Sequence, residues 1–207
     1  MLGTKYIFDR ETELRDLERY YKDCVSLGAN CGVIVYGWRR VGKTTILKEF
    51  VRKVNGVYIN CIWISDPYVF LRLVLDFLPT DLVGKFKIFL GEGDPMFVLR
   101  KAFDALISLA ESTGKRAFVL DEFHIFVEKV SGRIAREKKA KKEVITDDVL
   151  GLLKDIVEAK KAFWIFSTSL GWEKVRETIT RPKKAESPLI AVLRKYKIEP
   201  FDKETSI

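Results

Sequence analysis

The sequence predicts a single α/β domain built on a mainly parallel sheet, and three observations carry that expectation. A short apolar run, Val33-Ile34-Val35-Tyr36, passes directly into the glycine loop Gly37-Trp38-Arg39-Arg40-Val41-Gly42-Lys43-Thr44, and residues at helical spacing follow. A second apolar run, Ala117-Phe118-Val119-Leu120, ends in Asp121-Glu122, as expected of a buried parallel strand that delivers carboxylates at its C-terminal end. A third, Ala162-Phe163-Trp164-Ile165-Phe166, ends in the hydroxyl cluster Ser167, Thr168 and Ser169.

Length and composition bound the reading. A chain of 207 residues suits one substantial α/β domain and is short for two. With 47% hydrophobic and 12% aromatic residues it can bury a real core, which excludes wholesale disorder. No run of about 18 uncharged apolar residues is present, so no membrane span is expected. The N-terminus lacks a signal-peptide apolar region, and a soluble, cytoplasmic protein is expected. Glutamine is absent, asparagine occurs only at Asn30, Asn55 and Asn60, and 32% of residues are charged, a mix that leans toward a thermophile. Cys24, Cys31 and Cys61 match no zinc spacing and read first as buried small hydrophobes, with a Cys24–Cys31 bridge as the alternative.

The elements follow in order. A helix opens where Asp9 can cap it and Glu11 and Glu13 occupy its first turn; Leu14, Leu17, Tyr21 and Cys24 give its apolar face, and it ends near Gly28. After the glycine loop, Ile46, Leu47, Phe50, Val51 and Val54 mark a second helix. A strand is expected over 57–62, then helices over 68–77 and 82–90 separated by Pro79, then a longer helix after Asp94-Pro95 that Gly114 stops. Downstream of Asp121-Glu122, a helix capped at Thr146 runs through Val157, and the strand ending in Ser167 follows. A short helix over 172–179, a polar loop around Arg181-Pro182-Lys183-Lys184, a segment over 189–193 and a last strand over 196–199 stopped by Pro200 complete the chain.

The chemistry sits at two places. Gly37 and Gly42 permit backbone conformations that turn successive amides onto phosphate oxygens at a helix N-terminus. Lys43 supplies a point charge for the β and γ phosphates, and Thr44 supplies a hydroxyl for Mg²⁺. Asp121, 78 residues after Lys43, is the second candidate ligand for Mg²⁺, and Glu122 the candidate base for an attacking water. A hydroxyl from Ser167, Thr168 or Ser169 would lie beside these carboxylates and sense the γ-phosphate. His124, the chain's single histidine, reads as a loop or supporting residue rather than a base.

The net charge of +8 is concentrated: 129–142 holds seven basic residues and one acid. Arg133, Arg136, Lys138, Lys139, Lys141 and Lys142 form a local basic patch, read as a solvated helix or loop, a nucleic-acid contact or a protein contact. The expected organisation is one domain over 1–207, with an N-terminal helical region over 1–30 and a basic insertion over 129–145.

Four stretches together, Phe8-Asp9-Arg10-Glu11 through Leu14, Tyr36 through Thr45, Leu120-Asp121-Glu122-Phe123, and Pro188-Leu189 through Phe201, resemble the archaeal ATPase group of the STAND P-loop NTPases. That group is related to the AAA+ and replication-initiator ATPases. The resemblance implies a three-layer P-loop NTPase of the ASCE type, strand order 5-1-4-3-2, with a strand inserted between those serving Lys43 and Asp121. It implies ATP and Mg²⁺ as ligands, with Gly37 to Thr45 holding the phosphates, Phe8 and Arg10 near the adenine, and Ser167 to Ser169 as the sensor. Arg39 and Arg40 match arginines such proteins carry inside the phosphate loop, and Arg194 one just before the last strand. Members continue past Pro200-Phe201 into a helical lid and a winged-helix domain, so the sequence is expected to hold the ATPase core alone.

Two functions are carried forward: a slowly hydrolysing Mg-ATP switch, with ATP and ADP as ligands, and an ATP-regulated nucleic-acid-binding module using the basic stretch. A small-molecule kinase lacks an arginine-rich lid beside an acceptor motif. A helicase lacks a second motor domain, and Arg39-Arg40-Val41 is unlike a helicase loop.

Overall fold

The computed structural model describes residues 10–29, 31–171, 173–174 and 187–200. In chain order the elements are α1 (Glu11–Leu27), β1 (Gly32–Tyr36), α2 (Lys43–Val54), β2 (Val57–Asn60), α3 (Pro67–Leu75), α4 (Thr80–Lys87), α5 (Pro95–Thr113), β3 (Ala117–Asp121), α6 (Phe123–Lys138), α7 (Lys142–Glu158), β4 (Phe163–Thr168), α8 (Pro188–Val192) and β5 (Arg194–Lys197), with 3-10 turns at Cys61–Trp63 and Ile88–Gly91. The five strands form one sheet in the order β2-β3-β4-β1-β5, every neighbouring pair parallel. Counted from the other edge this is 5-1-4-3-2, and β4 is the strand inserted between β1 and β3.

The alternation of side chains along each strand builds the three layers. Val33, Val35, Val119, Phe163 and Ile165 point to one face, where they meet Leu17 of α1 and Ile46, Leu47 and Phe50 of α2. Ile34, Phe118, Leu120, Trp164 and Phe166 point to the other, under α3, α5, α6, α7 and α8. Because both faces are covered, β3 and β4 are buried along their whole length and read in the sequence as continuous apolar runs.

Several boundaries differ from those the sequence predicts. The second strand stops at Asn60, whose side chain accepts the Ile62 amide at 3.0 Å and turns the chain into a 3-10 bend. Helix α7 starts at Lys142 rather than at a Thr146 cap, since Thr146 Oγ1 donates back to the Lys142 carbonyl at 2.8 Å inside the helix. The last strand is two residues earlier than expected, with Arg194 opposite Val33 and Lys197 opposite Tyr36. Helix α1 has Arg10 at its N-cap position, while Asp9, the expected cap, lies outside the described residues. So do Phe8, the loop around Arg181 and most of the helix expected over 172–179.

At the amino end of the sheet, Cys24 and Cys31 are both buried and joined by a disulfide with Cα atoms 4.9 Å apart. The alternative reading of these cysteines therefore holds together with their burial. No described helix is long and apolar enough to cross a membrane.

Candidate active site

The glycine loop, Asp121, Glu122 and the Ser167–Ser169 cluster gather at the carboxyl end of the sheet, as expected where parallel strands hand over to helices. β1 ends at Tyr36 and the loop begins at Gly37, whose φ of 150° and close approach exclude a side chain: a Cβ there would lie 2.3 Å from the Ile198 carbonyl oxygen. Arg40 and Gly42 also have positive φ, 67° and 86°, so the loop curls before α2 begins at Lys43. No side chain caps α2, and its first amides face the loop's concavity with the positive end of the helix dipole behind them. Val41 is the loop's inward anchor, buried against the α1–α2 core. Arg10, also buried, donates to the Val41 carbonyl at 3.2 Å and the Glu199 carbonyl at 2.8 Å, and pairs with Glu13. The described contacts of Arg10 thus brace the underside of the loop.

Lys43 Nζ donates to the Gly37 and Trp38 carbonyls at 2.7 and 2.6 Å, folding its ammonium back over the loop. Burial lowers its pKa, opposed by Glu122 and Asp121. Thr44 Oγ1 donates to Asp121 Oδ2 at 2.8 Å, so the two candidate metal ligands are already adjacent. A hydroxyl and a carboxylate beside a phosphate cradle form an all-oxygen donor set, which fits Mg²⁺.

Two further groups hold these carboxylates: Tyr58, which carries no signal in the sequence reading, and Ser169, one of the three hydroxyls expected beside them. Tyr58, on β2, donates to the same Asp121 oxygen at 2.6 Å; burial and that carboxylate push its phenol far above the ordinary range, so it remains a donor. Ser169 donates to Glu122 Oε2 from its amide at 3.3 Å and its hydroxyl at 2.9 Å. Glu122 itself occupies the left-handed region, φ 55°, at the N-cap of α6, a conformation that costs about 1–3 kcal/mol and is held by its surroundings.

The three sensor candidates separate. Ser169 reaches Glu122, Thr168 Oγ1 lies 3.0 Å from His124 Nδ1, and Ser167 Oγ is buried without a hydrogen-bond partner among the described residues. His124 is not in a loop: it occupies the first turn of α6 and is buried.

A cavity of about 570 Å³ is lined by Arg39, Arg40, Gly42, Lys43, Thr44, Thr45, Glu122 and Ser169, with Ile62 and Ile125 on its far wall. A second, of about 760 Å³, lies beyond the loop and includes Gly37, Trp38, Arg39 and Lys197. Arg194 stands apart from both, its guanidinium 4.1 Å above the Tyr20 ring and its backbone opposite Val33.

A phosphate cradle, an adjacent Thr–Asp pair and a glutamate directly after the strand beyond an inserted β4 decide the architecture. This is a P-loop NTPase fold. No family model and no curated protein matches the sequence. Among solved structures, the chain is similar to a Walker-type ATPase of Pyrococcus abyssi, with a TM-score of 0.66 and 25% identity over 97% of this chain and 56% of the other. It also superposes on the ORC2 protein of Aeropyrum pernix in ADPNP–ADP complexes, TM-score 0.63 and 17% identity over 97% and 50%. The ORC1 protein of Aeropyrum pernix in complex with DNA matches at TM-score 0.58 and 14% identity over 96% and 47%. The chain spans about half the length of these structures.

Proposed function

We propose that the protein is a Mg²⁺-dependent, ATP-binding and slowly hydrolysing switch ATPase of the archaeal STAND type. The observation that carries this reading is the position of Glu122: it lines the same cavity as Lys43 and Thr44, and it follows directly on Asp121, which is bonded to Thr44. The loop amides and Lys43 bind the phosphates, Asp121 and Thr44 hold Mg²⁺, and Arg39 and Arg40 add positive charge at the cavity wall. When bound, Mg²⁺ neutralises charge on the phosphate oxygens. Glu122 orients a water toward the γ-phosphorus and accepts its proton as the bond to the β–γ bridging oxygen breaks and ADP departs. The two donors from Ser169 to Glu122 Oε2 hold the carboxylate in place at the cavity wall. Phe8 and Arg10 are assigned to the adenine side, the cluster Ser167, Thr168 and Ser169 to γ-phosphate sensing, and Arg194 to an arginine contact.

Lys43→Ala is expected to weaken nucleotide binding by at least about 100-fold, measured calorimetrically. Glu122→Gln is expected to keep binding and lose at least about 100-fold in turnover. Equal phosphate release by wild type and Glu122→Gln would remove the assigned base.

A second reading, nucleic-acid binding regulated by ATP, has one observation in its favour. A cavity of about 580 Å³ between α6 and α7, walled by Lys129, Arg136 and Lys142 with Glu128, adjoins the phosphate cavity at Ile125. The patch in this reading is the insertion over 129–145. Ion pairs engage three of its cations, Arg133 with Glu137 at 2.6 Å, Lys138 with Asp94 at 3.0 Å and Lys142 with Glu128 at 3.8 Å, and Lys129 donates to the Ile62 carbonyl at 2.7 Å, which concentrates the reading on Arg136, Lys139 and Lys141. Neutralising those three should flatten the salt dependence of duplex DNA binding, by a slope of up to about 3 in log–log form; an unchanged slope rejects it.

A further inference from the structure

The proposed reaction leaves one buried group beside its base without a role. His124 Nδ1 lies 3.0 Å from Thr168 Oγ1 and 3.5 Å from Glu122 Oε2. Thr168 Oγ1 accepts the Leu170 amide at 3.2 Å, and we assign the ring as neutral with its proton on Nε2, so that the Thr168 hydroxyl donates to Nδ1. Burial is the largest influence on the ring and holds its pKa below the ordinary value. The charged groups that bear on it are Glu122 and Glu128 of the α6 segment and Asp121 of β3, which favour protonation, and Arg39 of the loop, which opposes it. From β4 the ring meets the uncharged Thr168.

We propose that His124 is a positioning residue that gates Glu122 through its own protonation. With the ring neutral, Nδ1 accepts from Thr168 and the Glu122 carboxylate keeps a lone pair for the attacking water. With the ring protonated, Nδ1 becomes a charged donor whose nearest anionic acceptor is Glu122 Oε2. That oxygen already accepts two hydrogen bonds from Ser169. A third, charge-assisted bond saturates that oxygen and ties the carboxylate to a cation, which opposes its taking a proton from the attacking water. The sign follows: turnover is full above the ring's pKa and is lost as pH falls through it. This gate rests on Glu122 being the base.

Because His124 is the only histidine, a single imidazole resonance reports it in an NMR pH titration of the whole chain. In wild type the midpoint is expected below the ordinary histidine value of about 6.5. Glu122→Gln should lower it by about one unit, since the neighbouring negative charge is gone. Thr168→Val should raise it, because the neutral ring loses its donor. The same midpoint in wild type and Glu122→Gln overturns the contact. Separately, the ratio of the hydrolysis rate at about pH 8 to that at about pH 5.5 should shrink at least about threefold in His124→Gln; an unchanged ratio overturns the gate. A wild type inactive at every pH would sink the hydrolytic reading and the gate with it, while the midpoint shift would still decide the contact.

Discussion

The two ends of one sheet are built by opposite rules. At the amino end, Trp164 lies fully buried with its ring 4.8 Å from Phe118 and 5.8 Å from Phe103, and the Cys24–Cys31 bridge ties α1 to the start of β1. At the carboxyl end, the same strands finish in Asp121, Glu122, Thr168 and Ser169, beside the buried ammonium of Lys43 and two non-glycine residues of positive φ, Arg40 and Glu122. Apolar packing needs no exact partner, whereas each buried polar group needs a donor or acceptor placed within hydrogen-bond reach. The amino end therefore supplies stability, and the carboxyl end spends some of it on groups held ready for a ligand.

Breaking the amino end should show this most strongly. Trp164→Ala removes a stacked, fully buried ring and should cost about 3–5 kcal/mol in denaturant unfolding, with the nucleotide affinity of the folded protein unchanged. A loss below about 1 kcal/mol would mean that this end is not where the sheet is anchored. Opening the disulfide is the next smaller test. The bridge closes a short loop, with a sequence separation of 7. Cys24→Ser should therefore cost about 2–3 kcal/mol, read as the difference between unfolding curves of the variant and the oxidised wild type. Reductant should move the wild-type curve onto that of the variant and leave the variant where it is.

The same contrast explains what the sequence made legible. The phosphate loop, Asp121 and Glu122 lie on contiguous stretches whose spacing is fixed by local geometry, so residue order alone reveals them. β3 and β4 are equally legible, because burial on both faces writes an apolar run into the chain. β5 is an edge strand with alternating half-buried and exposed residues, among them Arg194, Lys195 and Lys197, and its position is set by pairing with β1 rather than by its own composition. Thr146 offers a cap and a mid-helix back-bond in the same residue type, and only the packing of Ile145 and Val149 beneath α7 chooses between them. Tyr58 and Ser169 reach the carboxylates across 63 and 47 residues, a distance over which no spacing rule operates. The sequence places Ser169 in a hydroxyl cluster beside the carboxylates, whereas Tyr58 reads as any aromatic residue in a strand.

Tyr58 gives the smallest effect and the sharpest division between the two ends. Its hydroxyl and that of Thr44 share one oxygen of Asp121, at 2.6 and 2.8 Å. When Thr44 turns a lone pair to a metal ion, Tyr58 would, with the Glu122 amide at 3.1 Å from Oδ1, keep the carboxylate from rotating, as outer partners do for metal ligands generally. Tyr58→Phe removes that single hydroxyl and keeps the ring under the Lys48 ammonium, 5.2 Å from its centroid, so the packing of β2 is preserved. Stability should change by only about 1 kcal/mol, while the Mg²⁺ concentration needed for half-maximal nucleotide binding should rise about 10-fold. Metal-free nucleotide binding should stay as in wild type. An unchanged Mg²⁺ requirement would reassign Tyr58 to the same structural role as Trp164, and the division between a packing end and a ligand end would then begin one strand residue closer to the loop.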